Sequence, residues 1–192
     1  MWYVPDDPAL AHVGGNQIGG NAQTFYPELW AWLVKEYGVK TVLDVGCGEG
    51  HALREFRKLG CLAIGCDGAP RNVAIARVGD YVAHCHDLTC KPFCVYAPLP
   101  DLVWCCEVVG QIEERYVANV VQTLAQGRAI AMTNELPGQN CYHGVNLKPV
   151  RYWQNKLSDV GYELDAHATL RSQEFGHDFW LTTGRIYRRV IP

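Results

Sequence analysis

At 192 residues the chain has the length of one domain with a single sizeable core. Its 48% hydrophobic and 19% charged residues exclude a disordered chain, and no apolar run reaches the length of a membrane-spanning helix. A net charge of −3 and an isoelectric point near 6.1 give it no global attraction for nucleic acid.

The opening stretch, Met1 to Pro8, lacks the basic and apolar regions of a signal peptide. A cytoplasmic location is therefore expected, and the nine cysteines are read as reduced thiols. Cys47, Cys66, Cys105 and Cys106 sit in or beside expected buried strands, where a thiol behaves as a small hydrophobe. Residues 1–23 carry Pro5, Pro8 and the run Gly14 to Asn21, a density of breakers that predicts an irregular segment. It is either a lid over a ligand or a loose terminus, and Asn16 and Gln17 are polar enough to touch a ligand. A helix is predicted from Tyr26 to Tyr37, with Pro27 in its first turn, Gly38 after its end and an apolar stripe of Leu29, Trp30, Leu33 and Val34.

Thr41 to Val45 reads as a buried strand that breaks into the turn Gly46-Cys47-Gly48-Glu49-Gly50 and a helix from Glu49 to Leu59. Glycines here allow a sharp turn and a close approach of backbone to ligand, and the helix aims its free N–H groups at the same place. The G-x-G-x-G spacing differs from the dinucleotide fingerprint, and Asp44 would repel a pyrophosphate but suits an ammonium group. A purely structural strand-turn-helix, or another nucleotide site, would carry similar glycines. The second strand, Cys61 to Cys66, runs into Asp67-Gly68 and a helix from Ala69 to Arg77. A third, Asp80 to His84, leads into the stretch His84 to Cys94, which holds two histidines and three cysteines. That stretch has no C-x₂-C pair, so no metal site is expected there.

Leu43-Asp-Val-Gly-Cys-Gly-Glu-Gly50 resembles motif I of the class I S-adenosylmethionine (SAM) methyltransferases. The resemblance implies an α/β fold, a three-layer Rossmann-like sandwich around a mostly parallel seven-stranded sheet with an antiparallel last strand. It implies that SAM, and the product S-adenosylhomocysteine, bind with Asp44, Gly46, Cys47, Gly48 and Gly50 around the methionine part. Asp67 and Gly68 would then meet the ribose, and Asp87 and Leu88 the adenine. Asp67 could also cap the following helix, and the two roles are compatible.

Residues 89–99 are broken by Pro92 and Pro98, with Pro100 beyond, so the family's usual crossover helix looks trimmed away. Asp101 to Glu107 is the fourth strand and its exit, and Glu107 resembles the family's acid facing the methyl-transfer site. In a subset reading E-V-V-E-H-I, an RNA 3′-end 2′-O-methyltransferase branch, the Glu-x-x-Glu-His set binds a divalent metal. Gly110 and Gln111 replace that Glu-His pair, so no catalytic metal is expected. A helix from Glu113 to Ala125 and a strand from Ala129 to Met132 precede a polar loop, Asn134 to Asn146. The loop resembles a P-G-Q…H-V-N loop of methyltransferase-like sequences, many of them viral or environmental. His143 is its candidate general base, with Gln139, Tyr142 and Asn146 as candidates to orient the acceptor. Bonds to the loop's own backbone are the alternative role for these side chains. A helix from Pro149 to Asp159 and a closing hairpin of strands, Tyr162 to Ala166 and Phe179 to Arg189, complete the chain. Arg185, Arg188 and Arg189 read as a solvated strand face. The resemblance covers roughly residues 24 to 190, within a single domain.

The expected function is SAM-dependent methyl transfer to an oxygen or nitrogen of a small molecule or sugar. The family's N-P-P-Y motif for exocyclic amines is absent, and no cysteine follows a proline as a pyrimidine-carbon nucleophile would. A nucleic-acid acceptor is less favoured, no membrane partner is expected, and the oligomeric state is open. The rival reading is a SAM-binding module without turnover, motivated by Gly110-Gln111 and the trimmed crossover. A Rossmann-type NAD protein is disfavoured by the glycine spacing.

Overall fold

Val42 and Leu43 are neighbours in sequence but belong to different cores, because successive strand residues face opposite sides of a sheet. A computed structural model describes residues 1–79, 81–95 and 99–190; Asp80 and Pro98, invoked above, lie outside them. Seven strands form one sheet: β1 (Thr41–Val45), β2 (Leu62–Asp67), β3 (Val82–Cys85), β4 (Leu102–Cys105), β5 (Ala129–Met132), β6 (Tyr162–Leu164) and β7 (Arg185–Arg189). Their order is β3-β2-β1-β4-β5-β7-β6. The first five run parallel, and β7 lies antiparallel between β5 and β6.

Helices cover both faces. Val42, Ala63, Leu102, Trp104 and Ala131 pack against α1 (Pro27–Tyr37), α2 (His51–Lys58) and α3 (Pro70–Val78). Leu43, Val45, Val103, Cys105 and Ile130 pack against α4 (Val117–Leu124) and α5 (Val150–Ser158). All nine cysteines are free thiols, and Cys47, Cys61, Cys66 and Cys105 are buried.

The described part of the link from β3 to β4 contains no helix, as its prolines predict. Side chains of α4 take over the bonding that a helix would supply to its own backbone. The Asn119 amide donates to the Leu88 carbonyl at 2.8 Å, and the Phe93 N–H donates to Thr123 Oγ1 at 2.9 Å. Gln126 accepts from the Val95 N–H at 2.7 Å and donates to the Phe93 carbonyl at 2.6 Å.

The end of the chain differs from the expected hairpin. Two helices, α6 (Ala166–Ser172) and α7 (Phe179–Thr183), separate β6 from β7, so Phe179 begins a helix rather than a strand. A short apolar run fits either period, and here burial decides. Trp180 is fully buried and stacks on Trp104, with ring centroids 5.3 Å apart. Asp165 caps α6 by accepting the Ala168 N–H at 3.0 Å, a signal readable in the sequence. Leu59, expected as the last residue of the helix after the glycine turn, follows the end of α2 and is 38% exposed.

Candidate active site

The C-terminal ends of β1, β2, β4 and β5 open onto one cavity of about 660 Å³, a size suited to a cofactor. The sheet order reverses between β1 and β4, the place where open α/β sheets bind ligands. Of the residues singled out in the sequence, Asp44, Gly46, Cys47, Gly48, Asp67, Gly68, Asp87, Leu88, Glu107, Gln139 and Tyr142 line this cavity; Gly50, His143 and Asn146 do not.

The turn after β1 is held to β2 by the Gly46 and Cys47 N–H groups, which donate to the Cys66 carbonyl at 2.8 and 3.0 Å. Gly46, Gly48 and Gly50 have φ of 75°, 52° and 83°. A Cβ at Gly46 would overlap the Val108 side chain, so the residue after Glu107 rests directly on the glycine turn. Asp44 is 3% exposed, and its Oδ2 has no hydrogen-bond partner among the described residues. Burial, then the nearby Asp67, push its carboxyl up to about 8. Cys47 is likewise pushed well up, by burial and then by Asp44 and Asp67, and remains a thiol.

Asp67 accepts the Gly48 N–H on Oδ2 at 2.9 Å. Its Oδ1 accepts the Ala69 N–H at 2.9 Å and the Asn72 amide at 3.1 Å. It therefore braces the glycine turn and the entry to α3 at once, while a carboxylate's four acceptor positions leave one on Oδ2. Asp87 accepts the Thr89 N–H on Oδ1 at 2.8 Å, and His12 Nε2 meets its Oδ2 at 2.7 Å. Burial raises the Asp87 carboxyl, but these partners outweigh it and hold it below the usual range.

His12 belongs to the irregular N-terminal segment, which is ordered by two 3-10 turns, Pro8–Val13 and Ala22–Thr24, and by an antiparallel bridge between Trp2 and Gln17. It forms one wall of the cavity from Trp2 to Phe25. The Gly19 N–H donates to Glu49 Oε2 at 3.1 Å, and Glu49 also pairs with Arg71 at 2.7 Å. The Tyr142 hydroxyl donates to the Ala11 carbonyl at 2.8 Å. The segment thus bridges the Asp87 side of the cavity to the loop after β5. His12 had no motif to mark it, and Glu49, although it lies in the motif I stretch, was not singled out; the fold gives both their partners at the site.

Glu107 follows β4 with φ 55°, a strained value for a non-glycine residue. Its N–H donates to Thr133 Oγ1 at 2.9 Å, and its Oε2 accepts the Gln139 amide at 3.0 Å. The amide is fixed in that sense because Gln139 Oε1 accepts the Leu136 N–H at 2.9 Å. Beside it lies Glu135, 1% exposed, whose Oε2 accepts the Gly110 N–H at 2.8 Å. A Cβ at Gly110 would come within 2.7 Å of that oxygen. A carboxylate from the β5 exit therefore takes the space beside Gly110. Burial, then Glu135, raise Glu107 to about 7, and burial raises Glu135. Among the described residues no group of three or more His, Cys, Asp or Glu is placed to hold a metal ion.

His143, at φ 46°, accepts the Val145 N–H at 2.9 Å through its carbonyl and sits off the cavity wall. Asn146 is 2% exposed, with its N–H on the Gly110 carbonyl at 2.9 Å.

A family model described as a methyltransferase domain matches residues 21–175. No curated protein matches the chain. Solved structures share the fold at low identity. The sugar N-methyltransferase KedS8 from Streptoalloteichus sp. ATCC 53650 is 15% identical, with 89% of each chain covered and a TM-score of 0.66. A TehB-like SAM-dependent methyltransferase from Corynebacterium glutamicum is 16% identical, with 90% of each chain covered and a TM-score of 0.64. Magnesium protoporphyrin IX methyltransferase from Synechocystis PCC 6803, solved with SAM, is 19% identical, with 84% of this chain and 76% of that chain covered and a TM-score of 0.61.

Proposed function

Because the chain belongs to the methyltransferase-domain family, we propose that it binds SAM in this cavity and methylates an oxygen or nitrogen of a small-molecule acceptor. The observation that carries the reading is Asp44, a buried carboxylate with an unpartnered oxygen beside a glycine turn that a Cβ would obstruct. A buried anion is costly alone and is relieved by a cation, which the amino group of SAM supplies. The residues present therefore fit the group. Bound SAM supplies a methyl group already activated by its sulfonium.

The glycine turn admits the methionine part close to the backbone, with the N–H groups of α2 facing it. Asp67 offers the ribose its remaining acceptor position on Oδ2, with Gly68 alongside. Asp87 meets the adenine edge by sharing the oxygen that His12 touches, and Leu88 packs beside it. The N-terminal segment serves as a lid that excludes water. Gln139 and Tyr142 shape the acceptor end. Glu107, rather than the off-wall His143, takes a proton from the acceptor. The Gly110-Gln111 departure argues little for a non-catalytic module, since Glu135 restores a carboxylate at that place. Solved structures named for a porphyrin and a sugar nitrogen support a small acceptor.

Asp44→Asn tests the reading. SAM affinity is expected to fall about ten- to hundredfold, the range for a hydrogen bond to a charged group, without loss of thermal stability. Unchanged affinity would remove Asp44 from the site.

A further inference from the structure

Resting on that reading of the donor site, we infer that the acceptor is an amine, bound as its ammonium ion between Glu107 and Glu135. Both acids line the cavity. One oxygen of each is already satisfied, Glu107 Oε2 by Gln139 and Glu135 Oε2 by the Gly110 N–H. The other, Oε1 in both, is buried without a hydrogen-bond partner among the described residues. Glu135 is 1% exposed, so solvent does not compensate it. No lysine or arginine is among the described residues that line the cavity. Two acids held this way suit a cationic donor of several N–H bonds and repel phosphate, carboxylate or nucleic acid.

Phe25, Trp30, Trp104 and Phe179 also line the cavity, and aromatic faces favour cations over neutral isosteres. Proton chemistry favours an amine over an aliphatic hydroxyl. Moving a proton from an alkylammonium, about 10.4 for a lysine side chain, to a carboxylate with a pKa of about 7 is uphill by roughly three pK units. From a water-like hydroxyl, at about 15.7, it is uphill by nearly nine. In the step, Glu107 takes one proton from the ammonium, leaving the amine its lone pair. The new C–N bond forms as the S–CH₃ bond breaks, and that pair stays on sulfur. The methylated product leaves as an ammonium, and Glu107 returns its proton to solvent.

The test titrates S-adenosylhomocysteine first, then isosteric probe pairs into the saturated protein. The pairs are 2-phenylethylamine and 2-phenylethanol, hexylamine and hexanol, and glucosamine and glucose. At least one amine is expected to bind about tenfold tighter than its alcohol partner and to be methylated when SAM replaces the product. Glu135→Gln, which keeps an acceptor for the Gly110 N–H, is expected to abolish that preference with S-adenosylhomocysteine affinity intact. Binding of S-adenosylhomocysteine with no preference for any amine, or a preference that survives Glu135→Gln, would overturn the amine assignment alone. Failure to bind S-adenosylhomocysteine would instead strike the donor site.

Discussion

Burial holds the carboxyl of Glu107 up to about 7, with Glu135 adding to it, and that of Asp44 up to about 8, with Asp67 adding to it. A folded-state pKa above the unfolded value contributes stability at low pH that is lost as pH rises through the folded value. For Glu107 the window runs from its ordinary 4.5 to about 7. Glu107→Gln should therefore flatten the fall in melting temperature across that window; an unchanged slope would contradict the burial of the charge. Wild-type turnover should rise with pH through about 7 as Glu107 becomes a base. The variant should lose turnover by about a hundredfold, the usual scale for a proton-transfer group. Asp44 predicts a second signature. Near neutral pH it is largely protonated, so a cationic amino group placed on it should expel a proton. Calorimetry in two buffers of different ionisation enthalpy should detect that release, and Asp44→Asn should abolish it.

The glycine turn and the N-terminal segment are the elements on which the site depends. Gly46→Ala combines a φ of 75° with overlap onto Val108 and should cost about 1–3 kcal/mol in a denaturant titration. Adding Val108→Ala should recover the overlap but not the backbone strain. His12→Ala with Tyr142→Phe removes two of the bonds that tie residues 1–25 to the rest of the chain and leaves that of Gly19 to Glu49. Protease cleavage within that segment should quicken while the global melting temperature stays close to wild type; unchanged cleavage would show that these bonds do not hold it. The β1 turn was legible in the sequence because its meaning is local, a strand that runs into glycines, whereas Asp67 and Asp87 were pointed to by the family resemblance and both line the cavity. Glu135 was not legible, since its role depends on Gly110, 25 residues earlier in the chain. The loss of an acid at 110 was visible, and its spatial replacement was not. The helix from Phe179 was hidden because a short apolar run leaves its period undecided until Trp180 finds Trp104.

Across the whole molecule the sheet order divides the labour. β1, β2 and β3 present Asp44, Asp67 and Asp87 along one side of the cavity, while β4 and β5 present Glu107 and Glu135 on the other. The link after β3, which holds no helix among its described residues, is stapled to α4 by Asn119, Thr123 and Gln126, and Asn119 keeps Leu88 in place. The N-terminal segment spans both halves, so donor and acceptor would meet under one cover. A SAM site in this cavity should be visible in calorimetric titration of the purified protein with SAM and with S-adenosylhomocysteine. Saturable one-to-one binding of both, in the micromolar range or tighter, is the predicted result. A folded protein that binds neither would contradict the account.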